Sequence, residues 1–128
     1  MSSTILFKVL IACTLFFTTT DDISKIKTEK DKINYLLNKV ENLDQAKFWR
    51  NGSYYAASKA VSHMKLKWRR QSDDIKTAED FIRLAATKSS LSNRYYKIKF
   101  KDGTEKRNCD YLREELKKLN QRIKDLNK

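Results

Sequence analysis

The stretch Phe48–Trp68, FWRNGSYYAASKAVSHMKLKW, holds a turn, a helix start, an apolar seam and a basic face in immediate succession. Asn51-Gly52 is the dipeptide of a two-residue hairpin turn, because both central positions need positive φ and these two residues reach it most cheaply. Phe48 to Arg50 and Ser53 to Tyr55 are its short arms. From Ala56 the apolar period changes from two to about 3.6. Ala57, Ala60, Val61, Met64 and Trp68 then share one stripe, while Lys59, His63, Lys67 and Arg70 share another. One stripe is built for burial, the other for water or an anion.

On the N-terminal side, Ile26, Ile33, Leu36, Leu37, Val40 and Leu43 recur at helical spacing, which predicts an amphipathic helix over 25–43 with a frayed beginning. On the C-terminal side the Ala56–Arg70 helix ends in the polar link Gln71-Ser72-Asp73-Asp74. Thr77 is an N-cap hydroxyl and Glu79 and Asp80 are first-turn acids, so a short helix follows, with Phe81, Ile82, Leu84 and Ala85 as its buried residues. Ser89 to Asn93 is loop. Tyr96, Ile98 and Phe100 alternate with Tyr95, Lys97 and Lys99 as in a half-buried strand, and Asp102-Gly103 signals a second hairpin returning through 104–107. Asn108 or Asp110 is expected to cap a last helix reaching about Leu126, with the seam Leu112, Leu116, Leu119, Ile123 and Leu126. The expected fold is a helix-rich α+β single domain in the order helix, β-hairpin, helix, helix, β-hairpin, helix.

A chain of 128 residues is one domain's worth, and 40% hydrophobic residues can close a modest core despite a mean hydropathy of -0.73. Proline is absent and glycine occurs twice, which suits helices with few tight turns. The net charge of +12 favours anionic partners: nucleic acid, acidic lipid, an acidic polymer, an acidic protein or an anionic small molecule.

Residues 1–20, MSSTILFKVLIACTLFFTTT, read as an export signal peptide: Lys8, an apolar run from Val9 to Phe17, then small polar residues. The run is too short to cross a bilayer, which takes about 20 residues. Cleavage near Thr20 would deliver residues 21–128 to the periplasm or beyond, with no transmembrane segment in the mature chain. Leu10-Ile11-Ala12-Cys13 also fits a lipoprotein signal, with Cys13 acylated, as a minor alternative. After cleavage the 28 basic residues fall to 27 against 16 acidic ones, a net +11, and Cys109 stands alone as a small buried hydrophobe.

His63 is the only histidine, so no multi-histidine metal site exists, and no spacing calls for a metal or other cofactor. Lys59, His63 and Lys67 lie four apart on one helix face, and Arg50 from the hairpin can point toward them. Lys88, Ser89 and Ser90 bring an ammonium, two hydroxyls and backbone N–H groups, the donor set of an anion site. The bland alternative has His63 satisfied by Tyr55 or a loop and the serines merely turning the chain. Two rival functions remain. A small serine-type hydrolase would use Ser89 or Ser90 with His63 as base, without any nucleophile-elbow motif around the serines. A nucleic-acid-binding protein, the alternative if the chain is not exported, would stack bases on Trp49, Tyr54 and Tyr55 beside Arg50.

The blocks RNG-x-x-Y at Arg50–Tyr55 and ATKSS at Ala86–Ser90, with His63, TAEDFI and YKIKF between and after them, resemble a family of small exported bacterial proteins of unknown function. The resemblance covers nearly all of the chain after Leu36. It implies export, a compact domain and no assigned activity. Its recurrent polar positions fall here on Arg50, Asn51, Gly52, Tyr55, His63, Lys67, Thr87, Lys88, Ser89 and Ser90. Relatives with cysteines at the positions of Ala46 and Phe100 would carry a staple between the hairpins that this chain lacks. The expected function is a non-enzymatic binding or accessory module with a basic surface joining Arg50, Tyr55, His63, Lys67, Lys88, Ser89 and Ser90.

Overall fold

The computed structural model describes residues 22–128. The expected signal segment, including Cys13 and the cleavage position near Thr20, lies outside the described residues. A 3₁₀ turn at Ile23–Lys25 leads to helix α1 (Glu29–Glu41). The frayed start expected for this helix is replaced by a sharp one. Thr28 Oγ1 accepts from the Asp31 amide at 3.1 Å and Asp31 accepts from the Thr28 amide at 3.0 Å, a reciprocal cap that satisfies two otherwise orphaned donors.

Strands β1 (Lys47–Arg50) and β2 (Ser53–Tyr55) form the first hairpin, with Asn51 at φ 50° and Gly52 at φ 89°. Both central residues are left-handed, as the two-residue turn requires. Helix α2 (Ala57–Arg70) follows, then α3 (Ala78–Ala85), whose N-terminus is closed by Thr77 and Asp80 in the same reciprocal manner. Strands β3 (Lys97–Lys99) and β4 (Glu105–Arg107) make the second hairpin, and helix α4 (Asn108–Leu126) ends the chain. Asn108 does not cap α4, contrary to expectation. It is the first helical residue, 2% exposed, and its Nδ2 donates to the Ala86 carbonyl at 3.0 Å, tying α4 to the end of α3.

The two hairpins join through their inner strands, antiparallel throughout, in the order β2-β1-β3-β4. Phe48 faces Tyr55 on one side and Ile98 on the other. The register that pairs Lys47 with Lys99 brings Ala46 beside Phe100 at the end of the ladder. Successive strand residues alternate between faces, so Phe48 and Ile98 turn inward while Trp49 and Lys97 turn outward. The inner face and the apolar stripes of the four helices enclose one core that includes Ile33, Leu36, Val40, Val61, Met64, Phe81, Ile82, Ile98 and Leu112. Cys109 is buried within it as a free thiol. Of the α4 seam, Leu112, Leu116 and Leu119 are buried, whereas Leu126 is 57% exposed beyond the last contacts.

Candidate functional site

Between the inner face of the first hairpin and helix α2 lies a cleft of about 530 Å³. Phe48, Tyr55, Ala60, Met64 and Leu66 supply its apolar walls, and Arg50, Lys59, His63, Tyr96 and Asn108 its polar ones. Arg50 enters from β1 because the Asn51-Gly52 turn holds the strand end against α2. His63 enters from the face of α2 opposite Trp68. Tyr96 comes from the chain just before β3, brought beside Arg50 by the pairing of β1 with β3.

His63 is bonded at both ring nitrogens. Arg50 donates to Nδ1 at 2.6 Å, and since a guanidinium can only donate, Nε2 carries the ring proton and donates to Tyr96 Oη at 3.0 Å. Lys67 Nζ donates to the Lys88 carbonyl at 2.8 Å and to Tyr96 Oη at 3.3 Å. Tyr96 Oη thus accepts twice, so its own O–H is left as a donor for a further partner. Burial pushes the Tyr96 hydroxyl pKa up against a smaller opposing effect of Arg50, keeping that proton in place.

Two cations, Arg50 and Lys67, therefore share a partly buried cluster with a neutral histidine and a neutral tyrosine. Among the described residues neither forms an ion pair with a carboxylate. Arg50 stacks on Tyr55 with its guanidinium carbon 5.6 Å from the ring centre, and Lys67 lies 5.2 Å from that of Tyr96. Arg50 Nε and Asn108 Oδ1 are buried without a hydrogen-bond partner. A buried orphan donor and a buried orphan acceptor each cost free energy that a bound ligand can recover.

Burial, then Arg50, Lys67 and Arg70, lower the His63 pKa to about 4. Burial and Arg50 lower that of Lys67 as well. The linkage sign follows from the depressed imidazole. Below about pH 6.5 the unfolded histidine takes up a proton that the folded one refuses until about pH 4, so its contribution to stability is complete above 6.5 and is lost as pH falls to 4. With the ring half-buried and partly screened by solvent, the loss expected is about 1–2 kcal/mol. Urea unfolding at pH 7 and pH 4.5 should show this extra acid sensitivity in the native protein and not in His63→Gln; equal slopes would contradict the neutral, doubly bonded ring.

The structure places Arg50, Tyr55 and His63 in the lining of the cleft and Lys67 next to it, on the Tyr96 hydroxyl, but divides the 88–90 segment from it. The Lys88 carbonyl receives Lys67, while the Lys88 ammonium turns to the Tyr95 ring at 4.7 Å. Ser89, 5% exposed, uses its hydroxyl to accept the amides of Leu91 and Ser92 at 3.2 and 3.4 Å, which shapes the loop. Ser90 is exposed. The hydrolase arrangement needed His63 against a serine hydroxyl, whereas its two nitrogens face Arg50 and Tyr96. Tyr96 and Asn108 were missed from the sequence. Tyr96 reads there as one more inward strand residue and Asn108 as a cap, and nothing local marks either as a cleft residue.

The sequence pattern of a family of unknown function, DUF5329, matches residues 27–120. An uncharacterized protein of Salmonella typhimurium, YfeK, is 37% identical over 68 residues. That match covers 53% of this chain and 57% of the relative, so the chain spans little more than half the relative's length. No solved structure matches. Among the described residues, no helix is long and apolar enough to cross a membrane.

Proposed function

Because the chain belongs to DUF5329, a family of unknown function from which no activity is inherited, we propose from the site itself that it is a non-enzymatic module binding a small organic anion. The observation that carries this reading is a cleft lined by two cations, Arg50 and Lys59, and by no carboxylate, with a third cation, Lys67, on the Tyr96 hydroxyl that also lines it; Arg50 has in addition a buried, unpartnered N–H. Desolvated charge of one sign is costly unless paired, and an anion supplies the missing pair. The Arg50 guanidinium, the Lys59 ammonium and the Tyr96 hydroxyl line the cleft and are the donors on offer to it. Asn108 Oδ1 asks for a hydroxyl or amine on the same ligand, and the Phe48, Tyr55 and Met64 walls ask for an apolar body. Export after cleavage near Thr20, read from residues 1–20, makes the ligand a periplasmic or extracellular one in this proposal.

Calorimetric titration of the full chain with inorganic phosphate and with 4-hydroxybenzoate, which joins a carboxylate, a ring and an O–H donor, tests it. The expected result is preference for 4-hydroxybenzoate and a loss of tenfold or more in its affinity in Arg50→Met, about the worth of one charge-assisted hydrogen bond. Absence of binding by either anion, or undiminished affinity in the variant, would overturn the reading.

A further inference from the structure

The outward face of the sheet gathers basic residues outside the cleft. One cross-strand row runs Tyr54, Trp49, Lys97, Arg107, and the next runs Lys47, Lys99, Glu105. Arg94, from the loop before β3, lies 4.5 Å from the Trp49 ring centre, on which Lys97 also sits at 5.2 Å. Tyr95 is held between Arg107 at 4.0 Å and Lys88 at 4.7 Å. Glu105 is the one carboxylate in these rows, and it accepts from the Tyr54 hydroxyl at 2.8 Å. Among the described residues no helix covers this face: Lys47, Lys97, Lys99 and Arg107 are all exposed, and Tyr54 is 45% exposed.

We propose that this sheet face docks on an anionic phospholipid surface. Charge complementarity is the first argument, since like charges set side by side across a sheet cost stability unless a partner neutralises them. The shape is the second: a short four-stranded sheet offers a broad surface, with amphipathic Trp49, Tyr54 and Tyr95 beneath a layer of cations, the combination that suits the headgroup zone of a bilayer. The third is Leu91, an apolar residue 92% exposed on the same loop that carries Arg94. Single-stranded nucleic acid is the less favoured occupant. Bases need open ring faces for stacking, and here the rings of Trp49 and Tyr95 are each covered by two cations.

Co-sedimentation of the full chain with vesicles of 30% phosphatidylglycerol in phosphatidylcholine, and with pure phosphatidylcholine, tests the proposal. The acidic vesicles should be bound at least tenfold better, and 0.5 M salt should release the protein, because surface charge is screened within a few ångström at that ionic strength. The triple variant Lys97→Gln, Lys99→Gln, Arg107→Gln should bind about a hundredfold more weakly, roughly fivefold for each charge removed. These residues lie outside the cleft, so the variant should still titrate with 4-hydroxybenzoate as the native chain does, and failure of the lipid proposal stays separable from failure of the cleft. Equal binding to both vesicle types, undiminished binding by the triple variant, or tighter binding to a single-stranded oligonucleotide than to acidic vesicles would each overturn it.

Discussion

Phe81→Ala should lower the folding stability by about 3–5 kcal/mol, the largest loss expected from one substitution in this chain. Phe81 is fully buried on α3 and meets Trp68 of α2 edge to face, with ring centres 5.7 Å apart and planes at 69°. Helix α3 has only eight residues, too few to be stable in water by themselves, so its position depends on this anchor and on its reciprocal cap. Truncation would leave a cavity between α3 and α2, and the geometry offers nothing that can collapse into it without disturbing Val61, Met64 and Leu112 in the same core. Domains of this size hold about 5–15 kcal/mol in total, so the variant would keep a small margin. In urea the midpoint should fall by about 2 M for a slope of about 2 kcal/mol/M. A loss below about 1 kcal/mol would mean that α3 is not the wedge that closes the core.

Lys67→Met should weaken binding of 4-hydroxybenzoate about 10- to 100-fold while leaving folding stability unchanged or raised by about 1 kcal/mol. Lys67 is 8% exposed, and its ammonium is stabilised by the Lys88 carbonyl and the Tyr96 hydroxyl, with no carboxylate among the described residues to offset its desolvation. Methionine keeps the unbranched shape and removes the charge, so the loss of two hydrogen bonds is set against relief from desolvation and from Arg50. With this cation gone, the His63 pKa should also rise, since Lys67 is one of the charges that depress it. Calorimetric titration and urea unfolding on the same variant check both halves. A stability loss above about 2 kcal/mol with affinity intact would make Lys67 an internal strut and end the anion reading.

The order of elements was legible in the sequence because each signal is short-ranged. Asn51-Gly52 and Asp102-Gly103 mark turns through their own backbone preferences, the α2 stripe shows its burial by period, and Thr77 with Asp80 writes its own helix start. The equivalent pair Thr28 and Asp31 carries the same information, although periodicity alone suggested a frayed beginning. Asn108 misleads for the same local reason: its residue type is that of a cap, but the chain uses its amide to bind the end of α3.

By itself the sequence determined the helices, the two hairpins, the α+β class and the presence of Arg50, His63 and Lys67 near one helix face. Only the tertiary structure decided that the hairpins share one sheet, that Tyr96 completes the cluster and that the Lys88 ammonium leaves for the outer face. These outcomes depend on pairing β1 with β3 in one register. A slip of one residue there would turn every inward side chain outward, and that choice is made by burying Phe48 and Ile98 against distant helices rather than by any residue's local preference.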